Sequence, residues 1–241
     1  MSDKKYFEPG QPFKFSRTKV ELFVECPKCF YLDRIKGVSR PSGFPFSLNN
    51  AVDTLFKKEF DSYREIQQPH PLVTDNGLHL VPFQEKRMED WRNNFKGVQA
   101  NYKGYQFYGA VDDVWVDKEG VLYVVDYKAT AKDVAVTELT TAPYHDTYRR
   151  QMQFYQWLLE QNGFIVSNTG YFVYTTGDNT LSSFNNELKF RTNLIAHIGS
   201  RHWVENTLDD LINCASSSSI PASAKTCPYC NYVNSRKNIE L

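Results

Sequence analysis

The sequence predicts an α/β protein in which a central sheet is flanked by helices. Val121-Leu-Tyr-Val-Val125, behind the turn-forming Asp117-Lys-Glu-Gly120, reads as the second strand of a β-hairpin. Helical spacing lies on either side of that hairpin, over residues 47–66 and about 145–162. Thr169-Gly-Tyr-Phe-Val-Tyr-Thr-Thr176 follows the second helix as another strand, so a crossover returning parallel to the 121–128 strand is expected.

The elements follow in order. Residues 16 to about 35 read as helical, opened by the Thr18-x-x-Glu21 capping pattern and interrupted at Pro27, which places Cys26 at a helix end. Leu48, Val52, Leu55, Phe56 and Tyr63 set the stripe of the 47–66 helix, with Ser47 as its N-cap. Met88, Trp91 and Phe95 predict a helix over 84–95. The helix from about 145 carries Tyr148, Met152, Tyr155 and Leu159 on one face and closes at Gly163. Residues 192–214 read as helical, with Leu194, Ile195, Ile198, Leu208 and Leu211 inside, and Ser216–Ser219 as a flexible linker beyond.

The hairpin carries the chemistry. Residues two apart on a strand share a face, so Asp126 and Lys128 point one way and Tyr127 the other, while Asp112 on the partner strand reaches the same place. By the same alternation Asp113 should point away. Two hard oxygen donors and an ammonium then converge where the apolar Val124-Val125 run turns polar. Such a group suits phosphodiester hydrolysis. A divalent cation on Asp112 and Asp126 would polarise a phosphoryl oxygen, and Lys128 would steady the attacking water or the developing charge. Asp-x-Lys alone is common on exposed hairpins; the apolar approach to it is what singles this one out.

Gly109-x-x-Asp112, a turn, an apolar run, Asp126-Tyr-Lys128 and then Gln151-Met-Gln-Phe-Tyr155 on a helix resemble the RecB-like branch of the PD-(D/E)XK nuclease superfamily. The resemblance implies a restriction-endonuclease-like core, a mixed central sheet flanked by helices. It also implies Mg²⁺ or Mn²⁺ as cofactor and DNA as substrate, with single-stranded exonuclease action first. Gln151 would lie near the metal or scissile phosphate and Tyr155 near the substrate backbone. One helical turn separates them, although Tyr155 also fits a plain buried stripe. On the upstream helix RecB-like nucleases usually have Gly-x-x-x-His, the His being a metal ligand. Asn49 and Asp53 stand there instead. Either Asp53 replaces the His as a hard oxygen ligand or the first ligand has been lost.

Two Cys-x-x-Cys pairs, Cys26-Pro-Lys-Cys29 and Cys227-Pro-Tyr-Cys230, bracket this core. A four-thiolate site for zinc or an iron–sulfur cluster is the first reading and disulfides are the next. Cys214 reads as a buried helix residue. The stretch from Phe15 to Leu32 around Cys26-Pro-x-x-Phe30 resembles the N-terminal segment of CRISPR-associated RecB-like exonucleases and AddB-type nuclease domains. There one N-terminal and three C-terminal cysteines hold a [4Fe-4S] cluster, which the resemblance implies here, with structural Zn²⁺ as the alternative. The two-plus-two spacing of this chain departs from that pattern.

The chain of 241 residues is 41% hydrophobic and can bury a core as a single domain. Residues 16–40 and 215–241 would form the cysteine segments, 41–100 a helical region, 101–190 the catalytic core and 191–214 a C-terminal helix. The formal charge of +0 excludes global attraction to nucleic acid but leaves room for a local basic groove, for which Lys57-Lys58, Arg149-Arg150, Lys96 and Lys103 are candidates. The polar N-terminus and the lack of a long apolar run predict a cytoplasmic protein with no membrane association. The enzymatic reading is a Mg/Mn-dependent deoxyribonuclease. Its alternative is a catalytically silent DNA-binding or adaptor subunit, with protein partners in a repair or CRISPR adaptation complex.

Overall fold

The computed structural model describes residues 6–43 and 47–240, which form two compact units, one of residues 6–43 with 100–108 and 202–240, the other of 47–99 with 109–201. In chain order the elements are β1 (Lys14–Ser16), α1 (Arg17–Glu25), α2 (Pro27–Arg34), α3 (Ser47–Ile66), α4 (Pro71–Asp75), β2 (Val81–Pro82), α5 (Met88–Arg92), β3 (Val98–Tyr102) and β4 (Tyr105–Gly109). They continue with β5 (Asp113–Val116), β6 (Leu122–Ala131), α6 (Pro143–Gln161), β7 (Thr169–Gly177), β8 (Phe190–Ile198), α7 (His202–Ser216) and α8 (Pro228–Glu240).

The first unit is built on aromatic side chains. β1 pairs in parallel with β4 so that Phe15 lies opposite Phe107, and the two rings stack at 5.4 Å. Phe7, Phe13 and Phe30 close around Phe15. The residues read as one interrupted helix form two: the chain leaves α1 at Cys26, which is extended, and Pro27 starts α2 at the first helical position, where a missing N–H costs nothing. α1 begins at Arg17, so Thr18 lies inside it, and no side chain caps it. Val204, Leu208, Leu211 and Ala215 form the buried stripe of α7, and the Tyr31 hydroxyl donates to the Ser217 carbonyl at 2.9 Å.

The second unit holds a five-stranded sheet in the order β2-β5-β6-β7-β8. β5 and β6 form the antiparallel hairpin, and β6 and β7 run parallel, joined through α6, as the crossover pattern predicts. One sheet face packs Trp115, Val125, Tyr127, Tyr171 and Val173 against Phe60 of α3, with Val73 and Leu80. On the other face α6 comes so close that a Cβ on Gly170 would lie 2.2 Å from the Met152 sulfur.

Three expectations are corrected. Residues 190–198 are strand, not helix, because they pair with β7 along its whole length from Thr169↔Ile198 to Gly177↔Phe190; the C-terminal helix starts at His202. α5 is only Met88–Arg92, and Phe95, taken as part of its apolar face, is 85% exposed. On α3, Leu48 and Leu55 face solvent. The inward stripe of that helix is Asn49, Val52, Asp53, Phe56, Lys57, Phe60 and Arg64, so polar residues occupy much of it.

Candidate active site and four-cysteine centre

The site lies where two strands part. Pairing of β5 with β6 ends at Asp113↔Val125, and past this point β6 continues alone on that edge. Its exposed backbone groups must find other partners. The Tyr127 N–H donates to Asp112 Oδ2 at 3.0 Å, and the Ala129 carbonyl accepts from the Asn49 amide at 2.8 Å. The parting therefore draws the turn before β5 and the start of α3 onto β6. Between them is a cavity of about 330 Å³, lined among others by Asp53, Lys57, Asp112, Lys128, Tyr148 and Gln151.

Asp53, Asp112, Lys128 and Gln151 of the residues named from sequence thus share one cavity. Asp126 is not in its lining; it is fully buried beneath, in an ion pair with Lys128. Tyr155 is also buried, and its hydroxyl accepts from the Gln151 amide at 3.2 Å, while the Gln151 carbonyl accepts from the Lys128 ammonium at 3.4 Å. The Lys128 ammonium lies 4.6 Å from the Tyr148 ring centroid. Burial works against this charge, but Asp126 and Asp112 outweigh it and hold the Lys128 pKa above its ordinary value. Lys128 is therefore a fixed cation.

Lys57, a basic-groove candidate by sequence, lines the cavity and sits between two carboxylates, 2.7 Å from Asp53 Oδ2 and 3.4 Å from Asp112 Oδ1. Its burial opposes the charge, yet Asp112 and Asp53 raise its pKa. Burial, followed by the Asp112 charge, raises the Asp53 pKa against the pull of Lys57. A pair of carboxylates that already holds one cation has the donor chemistry for another, which fits a hard divalent ion. Among the described residues, however, only the four cysteines bring three or more ligand atoms within 4.8 Å of one another; the aspartates are more widely spread.

Asp113 faces the opposite layer. It is buried in an ion pair with Arg64, lies 3.3 Å from Arg92, and accepts from the Tyr127 hydroxyl at 2.8 Å. Arg92 also reaches the Asp112 carbonyl at 2.9 Å and Asp61 at 2.7 Å. This network, which clamps the base of the cavity, escaped the sequence reading. Polar residues at helical spacing on α3, Asn49, Asp53, Lys57 and Arg64, were its only signal. The other basic candidates are largely paired within the fold: Lys96 with Asp90, Lys103 with Asp209 and Arg149 with Asp146.

The second constellation lies wholly in the first unit. Cys26, Cys29, Cys227 and Cys230 are all buried and unbridged, with Sγ atoms 3.6 Å apart for Cys29–Cys227, 3.6 Å for Cys29–Cys230 and 3.9 Å for Cys26–Cys230. Arg40 approaches Cys227 Sγ to 3.6 Å and pairs with Glu25. Burial raises the Cys230 thiol to about 12, whereas at Cys227 burial is outweighed by the Cys230 backbone N–H and the neighbouring thiols, which bring it to about 7. Four soft donors so arranged have the chemistry of a metal centre joining the N- and C-terminal segments. Cys214 is half-buried on α7 and stands apart from them.

A mixed sheet flanked by helices, with Asp112 in the turn that leads into β5 and Asp-x-Lys on the neighbouring strand β6, defines a class of metal-dependent nucleases. The chain matches the model of the PD-(D/E)XK nuclease superfamily over residues 47–235 and belongs to that superfamily. Membership implies metal-dependent cleavage of nucleic acid. No curated protein matches the chain. One solved structure, described as the crystal structure of SSO0001, is similar over 86% of this chain and 78% of its own, at 16% identity and a TM-score of 0.39. Among the described residues no helix is long and apolar enough to cross a membrane.

Proposed function

We propose that this protein is a Mg²⁺- or Mn²⁺-dependent deoxyribonuclease with its catalytic centre in the cavity at the end of β6. The single observation that carries the reading is the placement of Lys128, a largely buried cation held between Asp126, Gln151 and the Tyr148 ring at the wall of the cavity that Asp53 and Asp112 also line. By the motif Asp112, Asp126 and Asp53 would hold the metal; of these Asp112 and Asp53 line the cavity, and Asp126 lies behind Lys128. The ion would polarise a phosphoryl oxygen and acidify the attacking water. Lys128 presents its ammonium to the charge that develops as the phosphodiester is attacked. Gln151 orients that ammonium and Tyr155 orients Gln151, so the two helix residues act as a chain behind the lysine.

The finer parts of the reading have their support in motif order. DNA as substrate and single-stranded exonuclease action follow from the RecB-like resemblance of Asp112, Asp126-Tyr-Lys128 and Gln151-x-x-x-Tyr155, and a place beside protein partners in repair or CRISPR adaptation from the resemblance of the Phe15–Leu32 segment around Cys26. Against a catalytically silent adaptor stands the retention of acidic, lysine and glutamine side chains around one cavity. End-labelled single-stranded and duplex DNA incubated with Mg²⁺, Mn²⁺ or EDTA tests it. Metal-dependent shortening from one end of the single strand is expected; internal cuts alone would reassign the protein as an endonuclease.

A further inference from the structure

We infer that Cys26, Cys29, Cys227 and Cys230 together hold one tetrahedral zinc ion and not the [4Fe-4S] cluster that the RecB-like resemblance implies. The inference is independent of the nuclease reading. It rests on how close the four sulfurs are. Four thiolates sharing one ion at a Zn–S distance of about 2.3 Å must lie roughly 3.8 Å from one another. The observed separations are 3.6, 3.6 and 3.9 Å, and all four sulfurs fall within 4.8 Å of one another.

A [4Fe-4S] cluster imposes a different spacing. Each of its four thiolates binds its own iron, so the sulfurs sit outside the corners of a core that itself contains irons and sulfides. Thiolates around such a core are necessarily farther apart than thiolates around one ion, and four sulfurs all within 4.8 Å of one another leave no room for it. Disulfides fit no better, since a bonded pair lies at about 2.05 Å and all four cysteines are free, with Sγ separations of 3.6 and 3.9 Å between the two pairs.

The local backbone is repeated at the two pairs. In each, a proline follows the first cysteine and starts a helix, and the residue after the second cysteine donates its N–H to the carbonyl of the first: Phe30 to Cys26 at 3.1 Å and Asn231 to Cys227 at 3.0 Å. Two equivalent Cys-Pro-x-Cys turns, each offering two thiols to one point, supply two-plus-two coordination. The three-plus-one pattern of the cluster-binding relatives is not present. Arg40, 3.6 Å from Cys227 Sγ, offsets part of the negative charge that four thiolates around a divalent ion leave.

The test is metal and acid-labile sulfide analysis of the full chain purified without oxygen, followed by exchange with Co²⁺. One zinc per chain, no sulfide, no colour, and intense ligand-field bands of a tetrahedral cobalt thiolate after exchange are expected. Brown protein with iron and sulfide in equal amounts overturns the inference, as does iron without sulfide or a chain that oxidises to disulfides without binding metal. These measurements use the unmodified protein, so a cysteine variant that fails to fold does not obscure them. In a folded Cys214→Ser protein the zinc content and cobalt spectrum should be unchanged; loss of either would place the ion elsewhere.

Discussion

Asp112 and Asp113 are neighbours in the chain whose carboxylates serve opposite layers: Asp112 accepts from the Tyr127 backbone N–H at 3.0 Å beside the cavity, while Asp113 accepts from the Tyr127 hydroxyl at 2.8 Å in the core. One tyrosine thus ties both aspartates to β6. Their substitutions should separate. Asp113→Asn strips Arg64 and Arg92 of a buried counter-charge and should cost about 3–5 kcal/mol of stability. Asp112→Asn should keep a near-native denaturation midpoint and lose roughly 10²-fold or more in metal-dependent cleavage. Urea titration and a cleavage assay on both variants check the split; equal loss of stability would contradict it.

Lys57 holds the carboxylates that a divalent cation would use. Replacing it with methionine removes a competing positive charge from a partly buried acidic pair. Lys57→Met should bind Mn²⁺ several-fold more tightly and unfold more easily without metal, because Asp53 and Asp112 then repel each other uncompensated. Calorimetric titration with Mn²⁺ reads the first effect and urea denaturation in EDTA the second. Weaker binding would mean that Lys57 organises the carboxylates and does not compete with the ion.

Gly97 has φ +61°, and a Cβ there would meet the Gly109 carbonyl oxygen at 2.6 Å. Close passage of these two backbone segments requires glycine. Gly97→Ala should destabilise by roughly 1–3 kcal/mol from backbone strain alone, with the clash adding to it. Gly120 also has positive φ but faces open space, so Gly120→Ala should cost less. Thermal denaturation of the pair checks the order.

Asp61 links the cation pair of the base network to pH. Burial raises its pKa, but Arg92 and then Arg64 outweigh this and hold it below its ordinary 3.8. A carboxyl depressed in the folded state stabilises above its unfolded pKa, and that contribution is lost as pH falls through the folded value. Wild type should therefore exceed Asp61→Asn in stability at neutral pH, and the two should converge in acid below pH about 3.9. Because Asp61 is partly exposed, the gap should also narrow in high salt. Urea midpoints across pH and salt measure both trends.

Much of this was legible because it is local. The hairpin around Asp117–Gly120, the span of α3, and α6 with its crossover to β7 follow from periodicity and turn residues that act within a few positions. β8 was misread because Leu194, Ile195 and Ile198 fit a helical stripe as well as a strand. Its state is decided by β7, whose partner residues are distant in sequence. The two carboxylates around Lys57 are illegible in the sequence for a related reason. A lysine on an amphipathic helix defaults to solvent, and only the parting of β5 from β6 puts Asp112 beside it. The burial of Asp126 beneath Lys128, outside the cavity lining, is likewise a packing outcome that strand alternation alone does not give.

The central claim is that Lys128 is the cation of a metal-dependent phosphodiester cleavage. Lys128→Ala would leave Asp126 buried without that counter-charge, so Lys128→Arg, which retains charge but moves it, is the cleaner variant. The direct measurement is cleavage of labelled single-stranded and duplex DNA by wild type and Lys128→Arg at matched Mg²⁺ or Mn²⁺, with folding and DNA binding recorded on the same samples. Wild type should cleave with metal and stop with EDTA, and folded, DNA-binding Lys128→Arg should be slower by roughly 10²-fold or more. Wild type that cleaves neither DNA with either metal, or a Lys128→Arg protein as fast as wild type, would contradict it.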